Sequence, residues 1–371
     1  MTPFLKFVGI AVGTLTLLAV GGTYGASYYY TSQHGQGCAS CHEMSTYVSV
    51  EHAAPHRNES CIDCHKESLA TKLRHVRIHV FGPIPENVRL READVQEMTS
   101  NCQSCHQQEY ASWHAGPHSA TYSQLFADPG HNAKRMLAED CLRCHGMYFN
   151  GSIRDLVQPL NTKGPWQVIR LSLVDQPAMP CMTCHQIHRE GEQQTKPASR
   201  ISVTGAAVSA SLAFYDRRET LHFAATALSV PQLYDGARRV TVSQDLRQAL
   251  CYQCHAPRMP DAGSAAATNG WGPQVGSGDD RTSTGVHEGL SCVSCHDGHR
   301  ENTRASCKTC HPQMSHCGID VEKMDTTYSS AASAHNVHWV KCIDCHQHSI
   351  PKAKAHVAVK AKLQAAPGID G

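Results

Sequence analysis

The chain has 371 residues, a formal net charge of +1 and only 18% charged residues, a balance that gives no basic patch of the kind that holds nucleic acid. Length alone would allow two or three domains built around apolar cores, yet aromatic residues make up only 6% of a chain that carries 19 cysteines and 26 histidines. Much of the interior is therefore expected to be filled by something other than side chains.

Eighteen of the 19 cysteines fall into one pattern, Cys-x-x-Cys-His, which occurs nine times. The copies are Cys38, Cys41 and His42; Cys61, Cys64 and His65; Cys102, Cys105 and His106; Cys141, Cys144 and His145; Cys181, Cys184 and His185; Cys251, Cys254 and His255; Cys292, Cys295 and His296; Cys307, Cys310 and His311; and Cys342, Cys345 and His346. This is the attachment signature of c-type haem. Each thiol adds to one vinyl group of the porphyrin, and the adjacent imidazole then falls on the iron as proximal ligand. The rival readings are zinc sites, disulfides and thioredoxin-like redox centres. Zinc would pair two Cys-x-x-Cys units, or add two histidines at short spacing, without demanding a His after every second Cys. A disulfide framework would scatter its cysteines at irregular separations.

Nine covalently bound haems c are thus the expected cofactors, one for about 41 residues. The fold class that follows is a multihaem cytochrome c: mainly short α-helices and irregular chain wrapped around nine haems, one N-terminal transmembrane helix, and minor β structure around 200–245. Of the 26 histidines, nine belong to the motifs and 17 remain, more than nine six-coordinate irons require. Most irons are expected to carry two His ligands, the arrangement of low-potential electron carriers. The surplus also means that no iron is forced to be open to substrate.

In chain order, Lys6 precedes residues 7–26, which carry no charge. Twenty helical residues cross a hydrocarbon core at about 1.5 Å per residue. The competing reading is a cleaved signal peptide, whose apolar region is usually about 7 to 15 residues. This run is longer, and Tyr24, Tyr28, Tyr29 and Tyr30 after it resemble an interfacial aromatic belt. The reading adopted is an uncleaved anchor in the cytoplasmic membrane, with the haem domains on the periplasmic or outer face.

The first motif continues as Cys38-Ala-Ser-Cys-His42-Glu-Met44, close behind the anchor. One N-terminal helix, then Cys-x-x-Cys-His-x-Met, then closely spaced Cys-x-x-Cys-His motifs resembles the NapC/NirT/NrfH family of membrane-anchored quinol dehydrogenases. The resemblance is specific over about the first 105 residues. It implies that Met44 ligates the first haem, where the alternative is an apolar filler beside the ring. It also implies a ligand shortly before the second motif, matched by His56, with His52 as a competitor.

After the second motif, Ser68 as cap and Gly82 before Pro83 as stop bracket a helix whose Leu69, Leu73, Val76 and Val80 share one face. Lys72, Arg74 and Arg77 flank that face, which suits the lipid headgroup layer. The family resemblance makes this the segment that closes the quinol pocket, with these cations orienting the quinol oxygen. The alternative is a solvated basic face on which His75 or His79 serves as a haem ligand.

Haems 3 and 4 bracket His118 and His131, both candidate distal ligands. Residues 150–180, rich in Pro, Gly and Asn, read as irregular chain. The fifth, seventh and ninth motifs are each followed closely by another histidine, His188, His299 and His348. They are similar to the paired motifs of multihaem electron-transfer cytochromes, in which the trailing His ligates a neighbouring haem. His287 and His338, ahead of the seventh and ninth motifs, are further candidates, as is His222 in the longest haem-free interval. There, alternation at 200–204 and 239–243 predicts short strands, Tyr234-Asp-Gly236 a turn, and no other local β structure is expected. Residues 261–289 read as a surface loop. The leftover Cys317 is a free structural thiol or forms a sulfur bond to an iron or to another molecule.

The expected organisation is an anchor at 1–30, a NapC/NrfH-like tetrahaem module at 31–150, and a pentahaem module at 151–371 with a haem-free insert of about 190–248. The resemblance implies a protein that takes electrons from the (mena)quinol pool and relays them to a soluble or membrane-associated redox partner. Oligomers and a larger respiratory complex stay open. The alternative function is a terminal reductase of a nitrogen or sulfur compound with one open haem. Such enzymes often replace a motif His by Lys, which none of the nine motifs does.

Overall fold

The computed structural model describes residues 3–32, 37, 44, 47, 56, 59–66, 68–82, 90–188, 211–230, 232–235, 237–255, 281–299, 304–311, 337–341 and 343. Cys38, Cys41, His42, Cys342, Cys345, His346 and His348 lie outside these residues, as do the strand expected at 200–204 and Cys317, and the side chains of Lys72 and His79 lie outside them too.

Helix α1, Pro3–Thr31, is 29 residues long, and none of its residues is buried. Among the described residues it is the helix long and apolar enough to cross a membrane, a test that a signal sequence also passes. The helix runs past residue 26 and takes in Tyr28, Tyr29 and Tyr30. Thr14, Thr16 and Thr23 donate their hydroxyls to the carbonyls of Ile10, Val12 and Ala19 at 2.9, 2.8 and 2.7 Å. Polar groups satisfied within the helix suit an apolar surrounding.

Helix α2, Cys61–Cys64, is one turn long, and α3, Leu69–Phe81, follows with the bounds its caps predict. Ser68 Oγ accepts the Thr71 N–H at 3.2 Å, and the Gly82 N–H donates to Ile78 O at 2.7 Å. Leu69, Leu73 and Val80 are exposed, and Phe81 is 84% exposed. The apolar face of α3 is therefore not spent on the fold. Helices α4, Glu92–Cys105, and α5, Gln107–Ala115, meet at His106, whose φ of −97° and ψ of 55° break the helical path.

Tyr122–Ala127 forms α6, capped by a reciprocal pair: Thr121 Oγ1 accepts from Gln124 N, and Gln124 Oε1 accepts from Thr121 N. Pro129–Asn132, α7, starts on Asp128, whose carboxylate accepts from Gly130 N and His131 N. Residues 150–180 are more ordered than their composition suggests. Ile153–Leu156 is α8, and β1, Val157–Gln158, pairs antiparallel with β2, Gln167–Val168. This corrects the expectation that β structure is confined to 200–245. The cause is packing, since Val157, Trp166 and Val168 bury against Phe126, Leu142 and Leu156 in one apolar cluster.

Strands β3, Ala213–Asp216, and β4, Leu221–Ala224, form a hairpin. Phe214, Tyr215 and Phe223 join a second cluster with Val95, Met147 and Tyr148. Strands β5, Leu233–Asp235, and β6, Arg238–Val240, form another hairpin, in which Tyr234 and Asp235, expected in a turn, are strand residues; Gly236 lies outside the described residues. Leu246–Cys251 is α9, and Arg304–Cys310 is α10.

One hydrogen bond ties the first cluster to α4. Tyr122 Oη donates to Glu92 Oε1, while burial holds the Glu92 carboxyl above its usual range and the tyrosine contact opposes that shift. A raised folded pKa favours the protonated acid, so this site contributes stability at low pH and loses it as pH rises through the folded value. Tyr122→Phe removes the donor to the ionised form and is expected to cost about 1–3 kcal/mol near neutral pH. The loss shrinks as Glu92 protonates. Thermal midpoints of holoprotein and variant at pH 5 and pH 8 check this, and an equal difference at both pH values refutes it.

Candidate metal centres

The seven motifs among the described residues share one local geometry. In each, the His N–H donates to the carbonyl of the first Cys: His65 to Cys61 at 2.9 Å, His106 to Cys102 at 2.8 Å, His145 to Cys141 at 2.9 Å and His185 to Cys181 at 3.1 Å. His255, His296 and His311 do the same to Cys251, Cys292 and Cys307, all at 2.8 Å. One closed turn of this kind brings positions 1, 4 and 5 together, as a two-point covalent attachment with an adjacent ligand requires. None of the 14 described cysteines is paired in a disulfide, which leaves both sulfurs of each motif for thioether attachment.

Each of these seven imidazoles faces a different histidine from outside the motifs. The ring centroids are 6.0 Å apart for His106 and His56, 6.1 Å for His65 and His188, and 6.2 Å for His255 and His118. They are 6.5 Å apart for His145 and His131, 5.9 Å for His185 and His299, 6.1 Å for His296 and His338, and 6.3 Å for His311 and His287. A metal held in line between two imidazole nitrogens at about 2.0–2.1 Å, each nitrogen about 1.1 Å from its ring centre, separates the centroids by roughly 6 Å. The ring planes range from 6° to 90° apart, a freedom that rotation about two metal–nitrogen bonds permits. One such pair would be an ordinary aromatic contact. Seven of them, each joining one motif His to one other His with none shared, fit an iron with two axial imidazoles.

The surroundings suit neutral ligands. Burial, with His255 and His296 adding to it, lowers the His118 pKa to about 4. Burial, followed by His299 and His106, lowers His185 to about 4. The Nδ1 of His287 lies 2.8 Å from Val337 O, so it carries the proton and leaves Nε2 as donor to a metal. Among the described residues no three or more His, Cys, Asp or Glu side chains converge on one point, whereas a structural zinc site draws on four ligands.

Other expected ligands are placed differently. The Nε2 of His222 lies 2.9 Å from Met182 O and 3.5 Å from Tyr148 Oη. It therefore sits behind the fifth motif and is not one of the seven partners. Met44 is half-buried, but the motif it would serve lies outside the described residues. Arg74 is half-buried and Arg77 exposed on α3.

Contacts between motifs involve residues that the sequence did not single out. Asn101 Nδ2 donates to Cys64 O at 2.6 Å, Ser306 Oγ to Cys295 O at 2.8 Å, and Arg143 Nη2 to Gln253 Oε1 at 3.3 Å. A thiol of another motif, Cys102 for Cys181 and Cys292 for Cys251, is the leading cause lowering Cys181 and Cys251 to about 7. Adjacency to a motif is the one sequence signal these residues carry.

Residues 235–312 match the family model described as cytochrome c3, and residues 101–155 match that of cytochrome c554 and c-prime. No curated protein and no solved structure matches the chain.

Proposed function

We propose that this chain, a multihaem c-type cytochrome by its motifs and by both family matches, carries nine haems. It is held to the membrane by α1 and takes electrons from quinol for delivery to a redox partner outside the cytoplasm. Haem supplies reversible one-electron chemistry at iron, at a potential set by axial ligands, burial and hydrogen bonds. The observation that carries the reading is the set of seven histidine pairs.

On this reading each Cys-x-x-Cys-His turn supplies two thioether sulfurs and the proximal imidazole. His56, His188, His118, His131, His299, His338 and His287 then supply the second axial ligand at the third, second, sixth, fourth, fifth, seventh and eighth sites. Two strong-field imidazoles leave no coordination position for substrate. An iron open to a nitrogen or sulfur compound would therefore belong to the first or the ninth site, which narrows the reductase alternative to two motifs. Met44 remains the proposed ligand of the first.

The exposed apolar face of α3 supports the membrane-surface role. Leu69, Leu73, Val80 and Phe81 are exposed and would present apolar surface to the headgroup boundary, and Arg74 and Arg77 lie on the same helix. A quinol bound there releases two electrons and two protons. The guanidinium groups orient its oxygen and stabilise the anion left as the first proton departs.

The test is anaerobic mixing of detergent-solubilised holoprotein with a reduced menaquinol analogue while haem absorbance is followed. Rapid reduction of most haems is expected, and Arg74→Gln with Arg77→Gln is expected to slow it about 10- to 100-fold, the scale of losing charged orienting groups. Full reduction by dithionite with none by quinol sinks the quinol reading while leaving the haem-ligand reading untouched.

A further inference from the structure

We infer that the distal ligands of the seventh and eighth irons are presented by one shared element, residues 284–288 zipped to 337–340, and that Gly285 is the positioning residue that lets it close. The inference rests on the haem-ligand reading above, which gives His338 to the seventh iron and His287 to the eighth. These two histidines are far apart in the chain and serve different irons. Their segments are nevertheless bonded to each other.

Among the described residues, three hydrogen bonds join the segments. The Thr284 N–H donates to His338 O at 2.7 Å, and the Val286 N–H to Val340 O at 2.9 Å. Two donors two residues apart thus meet two acceptors two residues apart, which lays the segments side by side in the same direction. The third bond comes from a ligand itself, since His287 Nδ1 lies 2.8 Å from Val337 O. His287 therefore takes its orientation from the backbone beside His338, as outer hydrogen bonds orient a metal-bound imidazole. A further tie holds the element to β6: the Glu288 carboxylate accepts from Arg238 Nη1 at 2.8 and 2.9 Å and from the Thr241 N–H at 2.9 Å.

Gly285 stands between the two backbone donors with φ +69°, in the left-handed region that a side chain strains to adopt. Space is closed there as well. A Cβ at 285 would fall on the carbonyl oxygen of Val340 and lie 2.9 Å from its carbonyl carbon. Those are backbone atoms, which cannot turn aside as the end of a long side chain can. Any other residue must part the segments in the middle of the zipper. The turn Gly285–His287 contains no buried residue, so its position is set by these bonds rather than by a side-chain core. The proximal sides of the two sites are joined too, through Ser306 Oγ, which donates to Cys295 O at 2.8 Å. Opening the shared element therefore uncovers both irons together.

Carbon monoxide titration of reduced, full-length holoprotein tests this, because an iron that has lost its distal imidazole takes up one molecule of the gas. Gly285→Ala is expected to add two binding sites per chain at unchanged haem content, although residue 285 ligates neither iron. His287→Gly and His338→Gly are each expected to add one, since the two backbone bonds of the zipper survive in both. One added site or none in Gly285→Ala overturns the shared element. More than two also overturns it, because the substitution would then be loosening the protein at large.

Should Gly285→Ala fail to hold its full haem complement, hydrogen exchange in the two milder variants decides. In His338→Gly holoprotein, peptides covering 284–288 are expected to exchange about three- to tenfold faster than in the unchanged protein, as local opening of a bonded partner allows. In His287→Gly, peptides covering 337–341 are expected to do the same. Faster exchange confined to the segment that carries the substitution overturns the inference. If neither histidine variant adds a gas-binding site, His287 and His338 are not ligands. The haem-ligand reading then fails, and the shared element falls with it for that separate reason.

Discussion

Replacing His299 by glycine is expected to open an iron at the fifth site, although His299 stands three residues beyond the seventh motif. The His299 ring is nearly parallel to that of His185, 6° between planes and 5.9 Å between centroids. The seventh-motif imidazole, His296, faces His338 at 6.1 Å instead. Asp297 sets this crossing: its Oδ1 accepts the His299 N–H at 3.0 Å and lies 3.8 Å from Nδ1, turning the ring away from its own motif.

The readout is carbon monoxide binding to reduced holoprotein, because a six-coordinate iron with two imidazoles refuses the gas and a five-coordinate iron takes one. His299→Gly is expected to add one site per chain, and His338→Gly likewise. The double variant then adds two, because the two histidines serve different irons. If both served the seventh iron, the double variant would bind no more gas than either single one. That result would break the crossed pairing.

Such pairings were not legible in the sequence, and the reason is geometric. His118 follows the third motif by a dozen residues yet faces the sixth-motif His255, and His188 follows the fifth motif yet faces the second-motif His65. Spacing along the chain identifies which histidines are available but not which iron they meet. The motif turns themselves were legible because the i to i+4 hydrogen bond is local. Helix α3 was legible for the same reason, since Ser68 and Gly82 mark its ends.

The β3–β4 hairpin left no trace of alternation because the strand Ala213–Asp216 is buried at every position. A strand enclosed on both faces loses the period of two that reveals a half-buried one. Its turn also lacks a glycine: Thr220 takes the left-handed conformation at φ 56°, a position where sequence rules look for Gly or Asn. His222 drew attention as a spare histidine in this haem-free stretch. Its place behind Met182 follows from the hairpin, which the sequence did not reveal.

Preventing haem attachment is expected to have the largest effect of all, the loss of most of the fold outside α1. The apolar clusters among the described residues lie chiefly between Tyr122 and Ala178 and between Phe214 and Tyr252. The second motif, on α2, contributes no buried residue, and neither does the turn Cys292–Ser294 of the seventh. A helix of one turn does not stand alone in water, where its nucleation is unfavourable. On the proposed reading the apolar body for these turns would be the macrocycle attached to them, and its binding free energy would also be their folding free energy.

Full-length chain produced in cells lacking the covalent attachment machinery should therefore show no cooperative thermal transition for the regions around the second, third, seventh and eighth motifs. It should forfeit stability on the scale of a whole domain, about 5–15 kcal/mol. Hydrogen exchange resolves this by segment. Peptides covering 61–66, 101–106 and 292–311 are expected to exchange at unprotected rates in the apo chain and slowly in the holoprotein. Peptides covering 122–178 are expected to keep partial protection, because Leu142, Leu156 and Trp166 pack there without help from a cofactor. Equal protection of the 61–66 and 292–311 peptides in both forms would show that the polypeptide builds these turns unaided. The macrocycles would then fill cavities that the protein had already formed.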